Sequence, residues 1–182
     1  MQKTRAQSVV ETYLAIIARY PTVEALSEAS TDALEELLRP LGLSRKRAIQ
    51  LVGMGRAASS LGQAIFDDWR VLLADVPGLG AYAARAIACF GQGERIGIVD
   101  ANVARILRRA FSIRTKDPRA ATYQIHADAI ADASTDVRAT NFGLLDIGAA
   151  ICIPKPLCAG CPFVEMCPRY GVPIPEKQIN HR

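Results

Sequence analysis

The sequence contains no apolar run approaching the roughly 20 residues that cross a bilayer. Its opening stretch, MQKTRAQSVVETYLAII, has a polar start and no small-residue cleavage site behind its apolar part, so it does not read as a secretion signal. A soluble, cytoplasmic protein with no membrane partner is expected. Strand-like alternation and internal repeats are lacking too, which argues against sheet-built folds. Charge is sparse: 22% of the 182 residues are charged and half are hydrophobic. A real core can therefore form, and an ordered chain is expected. The net charge is only +4, which permits a polyanionic partner without demanding one.

What is present is helical periodicity. Val9, Val10, Tyr13, Leu14, Ile16 and Ile17 recur at helical spacing over residues 7–19, and Pro21 ends that helix. A short helix is expected over 25–29. A clearer one covers 31–38, with Asp32 and Glu35 spaced like a capping box and Pro40 as the stop. Ser44 reads as the cap of a helix running to about residue 60. Helices at 67–74 and 81–90 follow, then a Gly-rich link, and then about 101–111, 119–133 and 136–150. The apolar run Ile96–Val99 is too short to build a sheet on. The fold class is all-α.

The stretch from Asp75 to Val103 carries the chemistry. Between the two helices of the pair lies Asp75-Val76-Pro77-Gly78-Leu79-Gly80. Pro77 sets a turn, and the glycines allow a tight backbone that aims N–H groups at a phosphate. Such a hairpin holds nucleic acid by its backbone and reads no sequence. Twenty residues past Gly80 stands Asp100, where an apolar run meets a new helix. By itself it reads as an N-cap.

Four of the five cysteines form C-x5-C-x2-C-x5-C: Cys152, Cys158, Cys161 and Cys167. Without an export signal they are poor disulfide candidates, and thiolate ligation suits them better. The interspersed Pro154, Pro156, Gly160 and Pro162 suit a loop wrapped around an ion or cluster. Spacing alone leaves tetrahedral zinc and an iron–sulfur cluster both open. Cys89 stands apart in an apolar helix and reads as a small hydrophobe.

Hairpin, following Asp and C-terminal cysteines together resemble the helix–hairpin–helix DNA glycosylase superfamily, over essentially the whole chain. That superfamily includes endonuclease III and the adenine DNA glycosylases. Gly42-Leu43-Ser44 with Arg47-Ala48, Gly80-Ala81-Tyr82 and Val99-Asp100-Ala101-Asn102 are most similar to the thymine–DNA mismatch glycosylases, which act on T·G and U·G pairs. The resemblance implies two lobes, 1–94 with the hairpin and 95–182 with Asp100 and the cysteine loop, and a duplex held between them by a monomer. It implies a structural [4Fe-4S] cluster on Cys152, Cys158, Cys161 and Cys167, although the first spacing is one residue shorter than usual.

It also assigns roles. Asp100 matches the essential carboxylate that stabilises positive charge on the deoxyribose as the glycosidic bond breaks. Tyr82 matches the position where the bifunctional branch has a Schiff-base lysine, so a monofunctional enzyme is implied. Its other reading is an aromatic packing its helix. Gly78, Leu79 and Gly80 become the phosphate clamp. Gln2-Lys3-Thr4 and Leu43-Ser44, ahead of Arg45 and Arg47, match two loops that open the mispair and fill the gap. Leu43 reads equally as a wedge or as core. Adenine glycosylases keep a catalytic glutamate just upstream of the position that Gln2 matches. Only Met1 stands there in this chain, and Glu11 does not match, which disfavours adenine excision.

Overall fold

The computed structural model describes residues 6–62, 64–170 and 172. Every regular element among them is helical, with no strand. None of these helices is long and apolar enough to cross a membrane. The chain divides into two compact units, Met1–Ala84 and Arg85–Arg182.

In the first unit, α1 (Ala6–Arg19), α2 (Val23–Ser27), α3 (Thr31–Leu38) and α4 (Ser44–Leu61) come first. Short helices α5 (Ala64–Asp67) and α6 (Trp69–Asp75) follow, and α7 (Ala81–Ala86) straddles the boundary. Ala29, Leu34, Leu38, Ala48 and Val52 form the core, with Ile16, Tyr20 and Leu26 packed on it. Gly55 lets α4 approach the end of α2 closely: a Cβ there would lie 2.7 Å from the Ser27 nitrogen.

Two caps differ from the sequence reading. Ser30, not a capping box of Asp32 and Glu35, caps α3 by accepting from the Ala33 N–H at 3.5 Å. The two carboxylates instead hold Arg45. Ser44 is the first helical residue of α4, preceded by a left-handed Leu43 that makes no side-chain cap. Both acids are drawn to a cation thirteen and ten residues away, a pairing local spacing does not encode.

In the second unit, a π-helical turn (Ile87–Gln92) continues α7, so the expected helix over 81–90 is α-helical only to Ala86. Three longer helices follow: α8 (Ala101–Ala110), α9 (Ala121–Ala133) and α10 (Val137–Ala150). Val103, Ala104, Ile106 and Leu107 of α8 pack with Tyr123, Ala127 and Leu144 into one core. A second cluster joins Cys89, Ile98, Ala131 and Val137, flanked by Phe90. Phe90 stacks on Phe142 with ring centroids 4.1 Å apart. Residues 96–99 belong to no helix and join no sheet.

Candidate functional site

In the first unit the hairpin is anchored by its apolar residues and exposed at its glycines. Val76 and Leu79 are buried, while Gly78 and Gly80 face solvent. The Leu79 N–H donates to the Val76 carbonyl at 3.1 Å, and Gly78 takes φ 71°, which glycine adopts without strain. From α4, Gln50 Nε2 donates to the Gly78 carbonyl, and Pro77 packs against Gly53. The Ala84 N–H reaches back to the Gly80 carbonyl at 3.1 Å, opening α7. Tyr82, the second residue of α7, is 46% exposed and so is not core.

Leu43 is 73% exposed, which excludes the core reading, and it holds φ 50° and ψ 30°. A left-handed backbone under a branched side chain costs about 1–2 kcal/mol. Beside it, Arg45 is engaged by Asp32 and, at 3.1 Å, by Glu35. Hydrogen bonding to Asp32 first, then to Glu35, raises its pKa above the ordinary value. The predicted DNA-facing cation is thus already paired within the chain. Ser44 Oγ donates to Glu35 Oε1 at 3.4 Å. Arg47 is half-buried. Gln2, Lys3 and Thr4 lie outside the described residues.

In the second unit, Asp100 caps α8. Its Oδ1 accepts from the Asn102 and Val103 N–H groups at 2.8 and 2.7 Å, and Oδ2 accepts from Asn102 Nδ2 at 3.0 Å. The helix needs a side-chain acceptor for its first amides, and Asp supplies one with a charge that suits the helix dipole. The carboxylate is half-buried and held in one orientation. Asn102 is itself fixed from behind: Gly148 of α10 lies so close that a Cβ there would sit 2.8 Å from Asn102 Cβ.

The chain of contacts continues to the cysteine loop. Arg105 Nη2 donates to Asn102 Oδ1 at 2.9 Å and to the Gly148 carbonyl at 2.8 Å, and its Nε donates to the Cys152 carbonyl at 2.6 Å. Burial lowers the Arg105 pKa; Cys152 counters this, Arg109 adds to it and Asp100 counters it again. One helical turn on, the buried Arg109 donates to the Cys152 sulfur at 3.2 Å and to the Ile153 and Pro154 carbonyls at 2.8 and 3.0 Å. Its Nε is buried without a hydrogen-bond partner. Sequence reasoning missed Asn102, Arg105 and Arg109 as site residues. The signal available was two arginines four apart on the helix that Asp100 begins.

Cys152, Cys158, Cys161 and Cys167 are all free thiols and line one small cavity with Arg109 and Arg169. The loop turns tightly around it: the Leu157 N–H donates to the Ile151 carbonyl at 3.0 Å and Cys167 to Phe163 at 2.9 Å. Among the described residues no three His, Cys, Asp or Glu side chains are arranged to hold a single metal ion. Zinc would need its four sulfurs about 2.3 Å from one point. A four-iron cluster takes one thiolate per iron, so its ligands stand further apart. Four cysteines around one cavity, with Arg109 and Arg169 beside them, are a donor set suited to a thiolate-bound metal centre. Cys89 is buried and separate, and burial raises its thiol pKa.

Comparison with known proteins meets this geometry. The family model described as HhH-GPD superfamily base excision DNA repair protein matches residues 1–131. A thymine-DNA glycosylase of Aeropyrum pernix is 31% identical over 94% of this chain and 79% of its own length. An adenine DNA glycosylase of Homo sapiens is 32% identical over 92% of this chain, which spans 31% of that longer protein. The solved structure of a thermostable thymine-DNA glycosylase superposes with a TM-score of 0.79 at 27% identity, covering 93% of this chain and 79% of that one. The hairpin and Asp100 both fall inside the matched span, and the chain belongs to the HhH-GPD superfamily of base excision DNA repair proteins.

Proposed function

We propose that the chain is a monofunctional DNA glycosylase that hydrolyses the N-glycosidic bond of thymine or uracil mispaired with guanine. The observation that carries this reading is the Asp100 carboxylate, oriented by two backbone amides and Asn102 at the start of α8. An ionised carboxylate held there stabilises the positive charge that grows on deoxyribose as the base leaves, and orients the water that completes hydrolysis. Because its position is set before substrate arrives, no reorganisation is needed in the transition state. Tyr82 lines the pocket for the extruded base. Its phenol forms no imine, and neither Lys46 nor Lys116 matches the lyase position, so the product is an intact abasic strand.

The partner is double-stranded DNA with a mispaired base, bound by a monomer. Gly78, Leu79 and Gly80 hold a phosphate, while Gln2, Lys3, Thr4, Leu43, Ser44 and Arg47 meet the mispair and its flanks, and Arg45 stays with Asp32 and Glu35. A T·G or U·G pair costs less to open than a matched pair. Cys152, Cys158, Cys161 and Cys167 hold a [4Fe-4S] cluster, which orders the loop. The likeness to an adenine glycosylase keeps adenine opposite guanine or 8-oxoguanine as the second reading.

Single-turnover excision on labelled duplexes containing T·G, U·G, A·G or A opposite 8-oxoguanine tests this. T·G and U·G strands should break only after alkali. Breakage without alkali refutes the monofunctional reading, and excision confined to the adenine duplexes moves the substrate to the second.

A further inference from the structure

Asp100 is delivered by a stretch of chain with no helix and no sheet to hold it. A peptide so placed must find other partners for its backbone groups, because buried N–H and C=O groups left unpaired cost about 1–3 kcal/mol each. Here the partners are side chains. Asn141 of α10, 2% exposed, accepts from the Ile98 N–H at 2.9 Å through Oδ1 and donates to the Ile96 carbonyl at 3.0 Å through Nδ2. From α9, Asp128 Oδ1 accepts the Gly97 N–H at 2.9 Å, and Gln124 Nε2 donates to the Gly97 carbonyl at 2.9 Å. Four successive backbone groups are thus bonded, those of Ile96 and Ile98 by α10 and those of Gly97 by α9.

The grip is tight as well as polar. A Cβ on Gly97 would lie 2.3 Å from the Ala127 backbone carbon, so α9 packs directly on this peptide. Ile98 is 1% exposed. Asn141 also donates to the Val137 carbonyl and to the Cys89 sulfur, at 3.0 and 3.3 Å. One amide therefore ties the π-helical turn, α10 and the segment two residues before Asp100. Asp128 is braced by Arg85 at 2.9 Å.

We infer that Asn141, with Asp128, is a positioning residue of the excision reaction: it sets where the Asp100 carboxylate stands by holding residues 96–98. This rests on Asp100 acting as the catalytic carboxylate. Displacing such a group by about 1 Å costs on the order of a hundredfold in rate without touching substrate binding.

The experiment compares wild type with N141L, which removes the acceptor and both donors, and N141D, which keeps the acceptor for Ile98 and loses the donors. Each is followed by single-turnover excision at saturating enzyme, by duplex binding, and by amide hydrogen exchange over residues 96–103. The expected result is a fall in excision rate of about tenfold for N141D and about a hundredfold for N141L. Duplex affinity should stay within about twofold, with faster exchange confined to 96–103. A purely structural role would lower melting temperature while the rate per folded molecule held, and that result overturns the inference. Should N141L fail to fold, N141D decides by the same criteria. If wild type excises no mispair, the glycosylase reading fails, and the exchange arm still decides whether Asn141 orders the Asp100 segment.

Discussion

Replacing Asp100 with Asn and with Ala separates its two duties, helix cap and catalytic carboxylate. Asn keeps an oxygen for the Asn102 and Val103 amides, now at 2.8 and 2.7 Å. It loses the charge at the head of α8, worth about 0.3–1 kcal/mol. Its Nδ2 would also face Asn102 Nδ2, which now donates to Oδ2 at 3.0 Å and cannot simply rotate, since Asn102 Oδ1 is held by Arg105. The total for D100N is about 1 kcal/mol. Ala loses the cap as well, a further ~1 kcal/mol, for a total of about 2 kcal/mol. In a chain of this length 1 kcal/mol moves the melting temperature by about 2–4 °C. D100N should melt about 2–4 °C below wild type and D100A about 4–8 °C below it. If the carboxylate does chemistry, both variants lose about 10²- to 10³-fold in single-turnover excision at a temperature where both are folded. If it only caps, excision follows stability and D100N stays close to wild type. D100N excising within about tenfold of wild type would therefore refute the catalytic assignment.

Leu43→Gly relieves a left-handed backbone at φ 50°; it should melt no lower than wild type and yet lose about tenfold in excision, part of the few kcal/mol that base extrusion costs. Equal excision by L43G and wild type would leave that backbone strain without a function. Cys158→Ala should abolish the bound iron, the acid-labile sulfide and the visible absorption, measured on protein purified without oxygen. Cys89→Ala should leave all three intact and cost about 1 kcal/mol in denaturant unfolding. Gly148→Ala drives a Cβ to 2.8 Å from Asn102 Cβ and 3.2 Å from its backbone carbon. It should cost about 1–3 kcal/mol by overpacking, read as a lowered denaturant midpoint.

Local chemistry wrote much of this protein plainly. Apolar spacing of about one helical turn marks the helices after the link, because a helix must bury one stripe; α1 carries the same spacing, yet its Val9, Val10, Tyr13, Leu14 and Ile17 are exposed and only Ile16 packs on the core. Asp100 was legible as a cap because an N-terminus needs an acceptor within three residues, and it bonds Asn102 and Val103 in just that way. The turn at Pro77-Gly78 and the grouping of four thiols into one loop follow from residue type and short spacing alone.

Tertiary structure decided what lies far apart in the chain. Arg45 reads as a cation for DNA until α3 presents Asp32 and Glu35 to it. Leu43 reads equally as core or wedge until the fold leaves it exposed and left-handed. Residues 96–99 look like a strand with no sheet, and only the arrival of Asn141, 43 residues from Ile98, shows what replaces one. Arg105 and Arg109 look like ordinary helix charges until the Cys152 loop closes over them. Periodicity and capping are settled within a few residues, by backbone geometry that every chain shares. Which side chain satisfies a buried group across some forty residues depends on which helices pack, and that is a property of the whole fold.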